Sequence, residues 1–140
     1  MAHPDLDALL NAVLPVAQQM LGKHGELHPL GVSMKTDGQI GLVAGMPESE
    51  HPPSQQVIDL LVAGLQEQAS KGEIRACVVC YDVRVVPPGE TGKVDAICAQ
   101  LEHESGECAI VFLPYRKGLL GRRKYGDLFA SRMNPQVFRR

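Results

Sequence analysis

Residues 73–86 read EIRACVVCYDVRVV, and this stretch decides the fold. Its odd positions carry Cys77, Val79, Tyr81, Val83 and Val85, and its even positions carry Ile74, Ala76, Val78 and Cys80 before turning polar at Asp82 and Arg84. Successive side chains of a strand point to opposite faces, so the pattern predicts a strand covered on both faces, with one corner open to water. Lys71-Gly72 before it and Pro87-Pro88-Gly89 after it mark its ends, since glycine permits a turn and proline removes a ladder donor.

Working outward, residues 93–103 and 107–115 read as two more strands around Ser105-Gly106. A two-residue turn there predicts pairing of 104 with 107, 103 with 108, 101 with 110 and 99 with 112. Ile97, Ala99, Leu101, Ile110 and Phe112 would then share one face, and Ala96, Cys98, Val111, Leu113 and Tyr115 the other. Both faces are apolar, so each needs a cover: the two helices, the tail or a second copy of the chain.

Before the central strand, Pro52-Pro53-Ser54 opens a helix with Val57, Ile58, Leu61, Val62 and Leu65 on one stripe. Upstream of it, strands over 27–35 and 39–45 flank Thr36-Asp37-Gly38, a strong hairpin signal, and 46–51 is turn-like. Residues 5–23 repeat Leu6, Leu9, Leu10, Val13, Leu14, Ala17, Met20 and Leu21 at helical spacing, with Pro15 expected to bend the helix or divide it. Leu128, Phe129 and Met133 predict a short helix near 127–133. The expected fold is α+β, a five-stranded antiparallel sheet with two main helices in the order α-β-β-α-β-β-β. Residues 1–115 form a single domain in this reading, and 116–140 are a basic extension packed on it.

The order of elements resembles that of the profilin-like and roadblock class of small folds, many of which bind or dimerise. LPVAQQMLGKHGEL, GEIRACVVCYDVRVVPPG and VFLPYRK resemble segments of small bacterial proteins known only as hypothetical, a likeness that brings no activity with it.

The 140 residues suffice for one core without a disulfide or metal. No apolar run is long enough to span a bilayer, and two acids stand where a secretory signal would be basic, so a cytoplasmic protein with no membrane partner is expected. Charge is polarised: residues 1–115 carry six Lys and Arg against fifteen Asp and Glu, whereas 116–140 carry eight against one. Such asymmetry marks an acidic partner, nucleic acid or an anionic surface, or else a tail docked on its own acidic body.

Candidate chemistry is sparse. Cys77 and Cys80 form C-x-x-C, but inside a strand residues three apart face opposite ways, which favours two packed thiols over a redox or zinc pair. His24 and His28 have a ligand spacing that Gly25 interrupts. His103 and Cys108 become neighbours in the register above, although Glu102, Glu104 and Glu107 would raise the thiol's pKa. Residues 89–93, GETGK, lack the first glycine and the hydroxyl residue of a phosphate loop. No cofactor and no metal site are expected.

Asp82 and Arg84 share a face where the strand turns polar, with Arg84 opposite Asp95 if the Pro-Gly loop keeps 86 opposite 93. Together with Tyr115 they form a candidate site for a partner or a small anion. Arg116, Lys117, Arg122, Arg123 and Lys124 supply a cationic run that lacks the aromatics or reading helix expected for nucleic acid. The leading expectation is a non-catalytic protein-binding or self-associating module of adaptor or immunity-protein type. The alternative is an enzyme or small-ligand sensor at Asp82, Arg84 and Tyr115. Nucleic-acid binding through the tail comes third, opposed by the acidic body.

Overall fold

A computed structural model describes residues 3–43, 54–118 and 122–138. The chain forms α1 (Pro4–His24), β1 (Leu30–Lys35), β2 (Ile40–Val43), α2 (Ser54–Ser70), β3 (Ile74–Val85), β4 (Val94–His103), β5 (Cys108–Lys117), β6 (Arg123–Tyr125) and β7 (Phe129–Ser131). The class is α+β, with an antiparallel sheet ordered β2-β1-β3-β4-β5-β6 and β7 also pairing with β5. The expected start of the second helix at Pro52-Pro53, the turn over 46–51 and the end of the second strand at 45 fall outside the described residues, as do the leucines of the basic run.

β3 lies between β1 and β4, and the two helices cover opposite faces of the sheet. On one face Leu6, Leu9, Val13, Ala17 and Leu21 of α1 pack on Val32, Met34, Ala76, Val78, Cys80, Ile97, Ala99, Leu101 and Leu113. On the other, Val57, Leu61 and Leu65 of α2 pack on Ile74, Cys77 and Val79. Gly31 lets α2 approach closely, because a Cβ there would lie 3.3 Å from a Leu61 methyl.

α1 is one continuous helix despite Pro15. The proline lies on the solvent side, where water can satisfy the carbonyl it leaves without a donor. His3 caps the start, its Nδ1 accepting the Asp5 N–H at 3.0 Å, and Gly25 closes the end at φ 70°.

The sheet has seven strands, not five, and residues 129–131 are β7, not part of a helix. The eight residues between Gly126 and Pro135 allow about two helical turns at most, a marginal helix, and the open edge of β5 offers them ladder hydrogen bonds instead. The β4–β5 register also differs from expectation by one residue. His103 N–H bonds to the Glu107 carbonyl, and Glu104, Ser105 and Gly106 form a three-residue loop with Gly106 at φ 98°.

Glu102 therefore faces Cys108 and Ile97 faces Leu113. Because strand side chains alternate, this slip moves Leu113 and Tyr115 to the α1 face and Ile110 and Phe112 to the α2 face. It also puts His103 and Cys108 on opposite faces, which removes the Cys-His contact.

Leu9 is fully buried at the centre of the α1 interface. Replacing it with Ala is expected to cost about 2–5 kcal/mol in urea unfolding with the slope unchanged; a loss below about 1 kcal/mol would contradict this packing.

Candidate functional site

The sheet brings Asp82, Arg84 and Tyr115 to one corner of the α1 face. Arg84 pairs with Asp95, Asp95 with Tyr115 and Tyr115 with Tyr125, giving one row across β3, β4, β5 and β6. The Tyr115 hydroxyl reaches over β4 and donates to the Asp82 carboxylate, 2.9 Å from Oδ1 and 3.0 Å from Oδ2. Tyr115 is 6% exposed, and Asp82 stays open on its outer side. Arg84 makes no ion pair with Asp95 or with any other described residue.

Partial burial raises the Asp82 carboxyl above its ordinary value, and the charge of Asp95 adds to this. The Tyr115 hydrogen bond and the Arg123 charge oppose the shift. Burial, then the Asp82 carboxylate, pushes the Tyr115 hydroxyl up. The corner is thus a hydrogen-bonded pair of which Tyr115 alone lines a cleft, one that neither Asp82 nor Arg84 reaches.

The cations of the tail separate into two groups. Arg123 Nη1 donates to the Leu21 carbonyl at 2.9 Å and Nη2 to that of Gly25 at 3.4 Å, so it caps the C-terminus of α1. Its guanidinium also lies 5.9 Å from the centre of the Tyr115 ring. Arg116 pairs with Glu90. Lys117, Arg122 and Lys124 are exposed and form no ion pair among the described residues. In the β5–β6 ladder Arg116 stands opposite Lys124 and Lys117 opposite Arg123. Like charges facing across a ladder repel, and here Glu90 offsets one member of the first pair and the C-terminus of α1 one member of the second.

On the α2 face the sheet is only partly covered. Tyr81, Val83, Val85, Ile110, Phe112 and Phe129 are each part-exposed, flanking the small buried Ala96 and Cys98 of β4. Phe112 stacks on Phe129 with ring centres 5.0 Å apart. This surface runs into a cleft of about 610 Å³ lined by Pro87, Pro88, Pro114, Tyr115, Leu128 and Phe129. Arg116, Lys124, Glu90 and Asp127 form its charged rim.

A polar cluster that the sequence did not reveal ties α1 to the far end of the sheet. The Asp5 carboxylate accepts from His103 Nε2 at 2.9 Å and from Arg75 Nη2 at 3.1 Å. The Ser105 N–H donates to His103 Nδ1, which places the ring proton on Nε2. Burial alone would raise the Asp5 carboxyl, but the His103 and Arg75 hydrogen bonds outweigh it and lower the pKa.

His3, Asp5 and His103 have the composition of a metal site. The geometry does not suit one. The two rings stack at 3.9 Å and 23°, so their in-plane lone pairs run side by side instead of converging, and Arg75 already neutralises the carboxylate. Cys77 and Cys80 lie in different cores and burial pushes both thiols up, while His28 lies 3.8 Å from Glu26 in a loop.

Fold and site together define a small α+β domain with a polar corner on one face and an apolar, cation-rimmed surface on the other. No protein-family model, curated protein or solved structure matches the chain. No described helix is long and apolar enough to cross a membrane.

The two aspartates should act on stability in opposite directions. Asp5 has a lowered pKa, so its contribution is complete above the unfolded value of about 4 and fades as pH falls through the folded value. Asp5→Asn should therefore cost about 1–3 kcal/mol at neutral pH and progressively less in acid. Asp82 has a raised pKa, so its ionisation opposes folding, and Asp82→Asn should raise Tm slightly at neutral pH and leave it unchanged in acid. Thermal melts across a pH series check both, and a fall in Tm for Asp82→Asn at neutral pH would contradict the assignment.

Proposed function

We propose that the protein is a non-catalytic protein-binding module whose recognition surface is the open α2-side face of β4 and β5 with the adjoining cleft. The observation that carries this reading is the juxtaposition of that part-exposed apolar surface with the β5–β6 ribbon, where Lys117, Arg122 and Lys124 are exposed and form no ion pair among the described residues. An acidic segment with an apolar side chain suits both parts. Self-association through the same face in a two-fold dimer suits it less, because each copy would bring its ribbon towards the other's.

A second reading, a small-anion or metabolite site at Asp82, Arg84 and Tyr115, is favoured by the raised Asp82 pKa beside a buried tyrosine. Of these three only Tyr115 lines a cleft, so Asp82 and Arg84 have no enclosed space beside them. For nucleic acid the ribbon offers three cations without an ion pair among the described residues, and the adjoining Phe112 and Phe129 are only part-exposed and stacked on each other, which leaves little for base stacking.

The test compares capture of partners from the source cells by three tagged proteins, at low and high salt. In Lys117→Ser/Arg122→Ser/Lys124→Ser the fold should be intact, because exposed sites of this kind shift stability by about 0.5 kcal/mol or less. Three rim charges at about 0.2–1 kcal/mol each amount to a weakening on the order of tenfold, larger at low salt than at high. Phe112→Asp should abolish capture while the protein still melts cooperatively. Partner recovery that neither variant changes would overturn the proposed surface. Arg123 is left intact in these variants because it caps α1.

A further inference from the structure

The last described residues run along the α2 face as a strap, held by contacts of an unusual kind. Glu102, 3% exposed on β4, uses one carboxylate oxygen, Oε1, to accept three successive main-chain N–H groups: Gln136 at 3.0 Å, Val137 at 2.9 Å and Phe138 at 3.2 Å. Gln66 of α2 donates its Nε2 to the Gln136 carbonyl at 2.7 Å, and Cys108 Sγ donates to the Met133 carbonyl at 3.2 Å. Val137, 5% exposed, is the one strap side chain fully buried, in the cluster of Val57, Leu61, Leu65 and Ile74.

Four of these five hydrogen bonds tie down three consecutive residues, and all five engage the strap through its main chain. Three successive N–H groups reach one oxygen only where the chain turns, and residues 136–138 form such a bend, so recognition through the main chain specifies a turned backbone and leaves the sequence free except at the anchoring side chain. A buried carboxylate is costly without donors, so the groove needs an occupant whichever chain supplies it. The groove also continues past the strap: a cleft of about 540 Å³ lined by Gln66, Gly72, Ile74 and Glu104 adjoins Val137 and Phe138.

We propose that the groove between α2 and the Glu102 end of β4 is a peptide-recognition site, with residues 133–138 as its resident ligand. It takes partner segments that turn in the same way: three successive N–H groups converging on Glu102, hence no proline among them, and an aliphatic side chain at the middle position. This site is separate from the open β4–β5 surface, and its test does not depend on that reading.

A fluorescent, C-terminally amidated peptide of residues 132–138 is the probe, and full-length protein is the receptor. In wild type the resident strap competes at high effective concentration. Val137→Asp weakens the strap without altering the groove, so the peptide should bind this variant at least tenfold more tightly than wild type. A peptide carrying the same Val137→Asp change should bind neither protein, and adding Glu102→Gln to the receptor should weaken binding at least tenfold. A cooperatively melting Val137→Asp protein that binds the peptide no better than wild type would overturn the proposal.

Hydrogen exchange on wild type keeps the proposal testable if that variant fails to fold. The amides of 136–138 should exchange by local opening, at least tenfold faster than those of β3. Exchange at the β3 rate would make the strap an inseparable part of the core and overturn the proposal.

Discussion

Burial of β3 on both faces is the constraint on which the structure depends. The strand pairs with β1 on one side and with β4 along ten residues on the other. Alternation sends Ala76, Val78 and Cys80 to α1, and Cys77 and Val79 to α2. A one-residue slip of β3 would exchange the two sets and place Asp82 and Arg84 on the α2 face, so its register fixes which corner is polar. The Asp5, His103 and Arg75 cluster reinforces this arrangement by joining the first turn of α1 to the ends of β3 and β4.

What the sequence revealed follows from how local each signal is. Helical spacing in α1, the stripe of Val57, Leu61 and Leu65 in α2 and the Asp37-Gly38 turn are short-range patterns, and each element stands where its pattern falls. The opposition of Arg84 and Asp95 was legible because one loop, with Pro87-Pro88-Gly89 at its start, sets it. The β4–β5 register was not, because Ser105-Gly106 serves a two-residue or a three-residue loop equally well, and the Glu104 to Gly106 bulge is chosen by packing of Leu113 under α1. β6 and β7 are three residues each and exist because β5 presents an open edge, which no local pattern encodes.

The site shows the same division. Tyr115 meets Asp82 although the expected register placed it on the other face, because the one-residue slip brings it to the α1 side. Contacts between residues far apart in the chain, such as His103 with Asp5 or Glu102 with the strap, leave no mark on composition or spacing. Arg123 reads as one more cation of a basic run, whereas its place opposite Lys117 directs it to the end of α1. The run is therefore not a uniform patch: Arg123 caps α1, Arg116 pairs with Glu90 at the surface, and Lys117, Arg122 and Lys124 form no ion pair among the described residues.

The measurement that tests the functional account most directly is a hydrogen-exchange footprint of the protein with its isolated partner bound. The account predicts new protection in residues 81–85, 110–117 and 122–129, with the α1 face unchanged. Protection confined to the exposed edge at β2, where Leu42 is 68% exposed, or to α1, would contradict it.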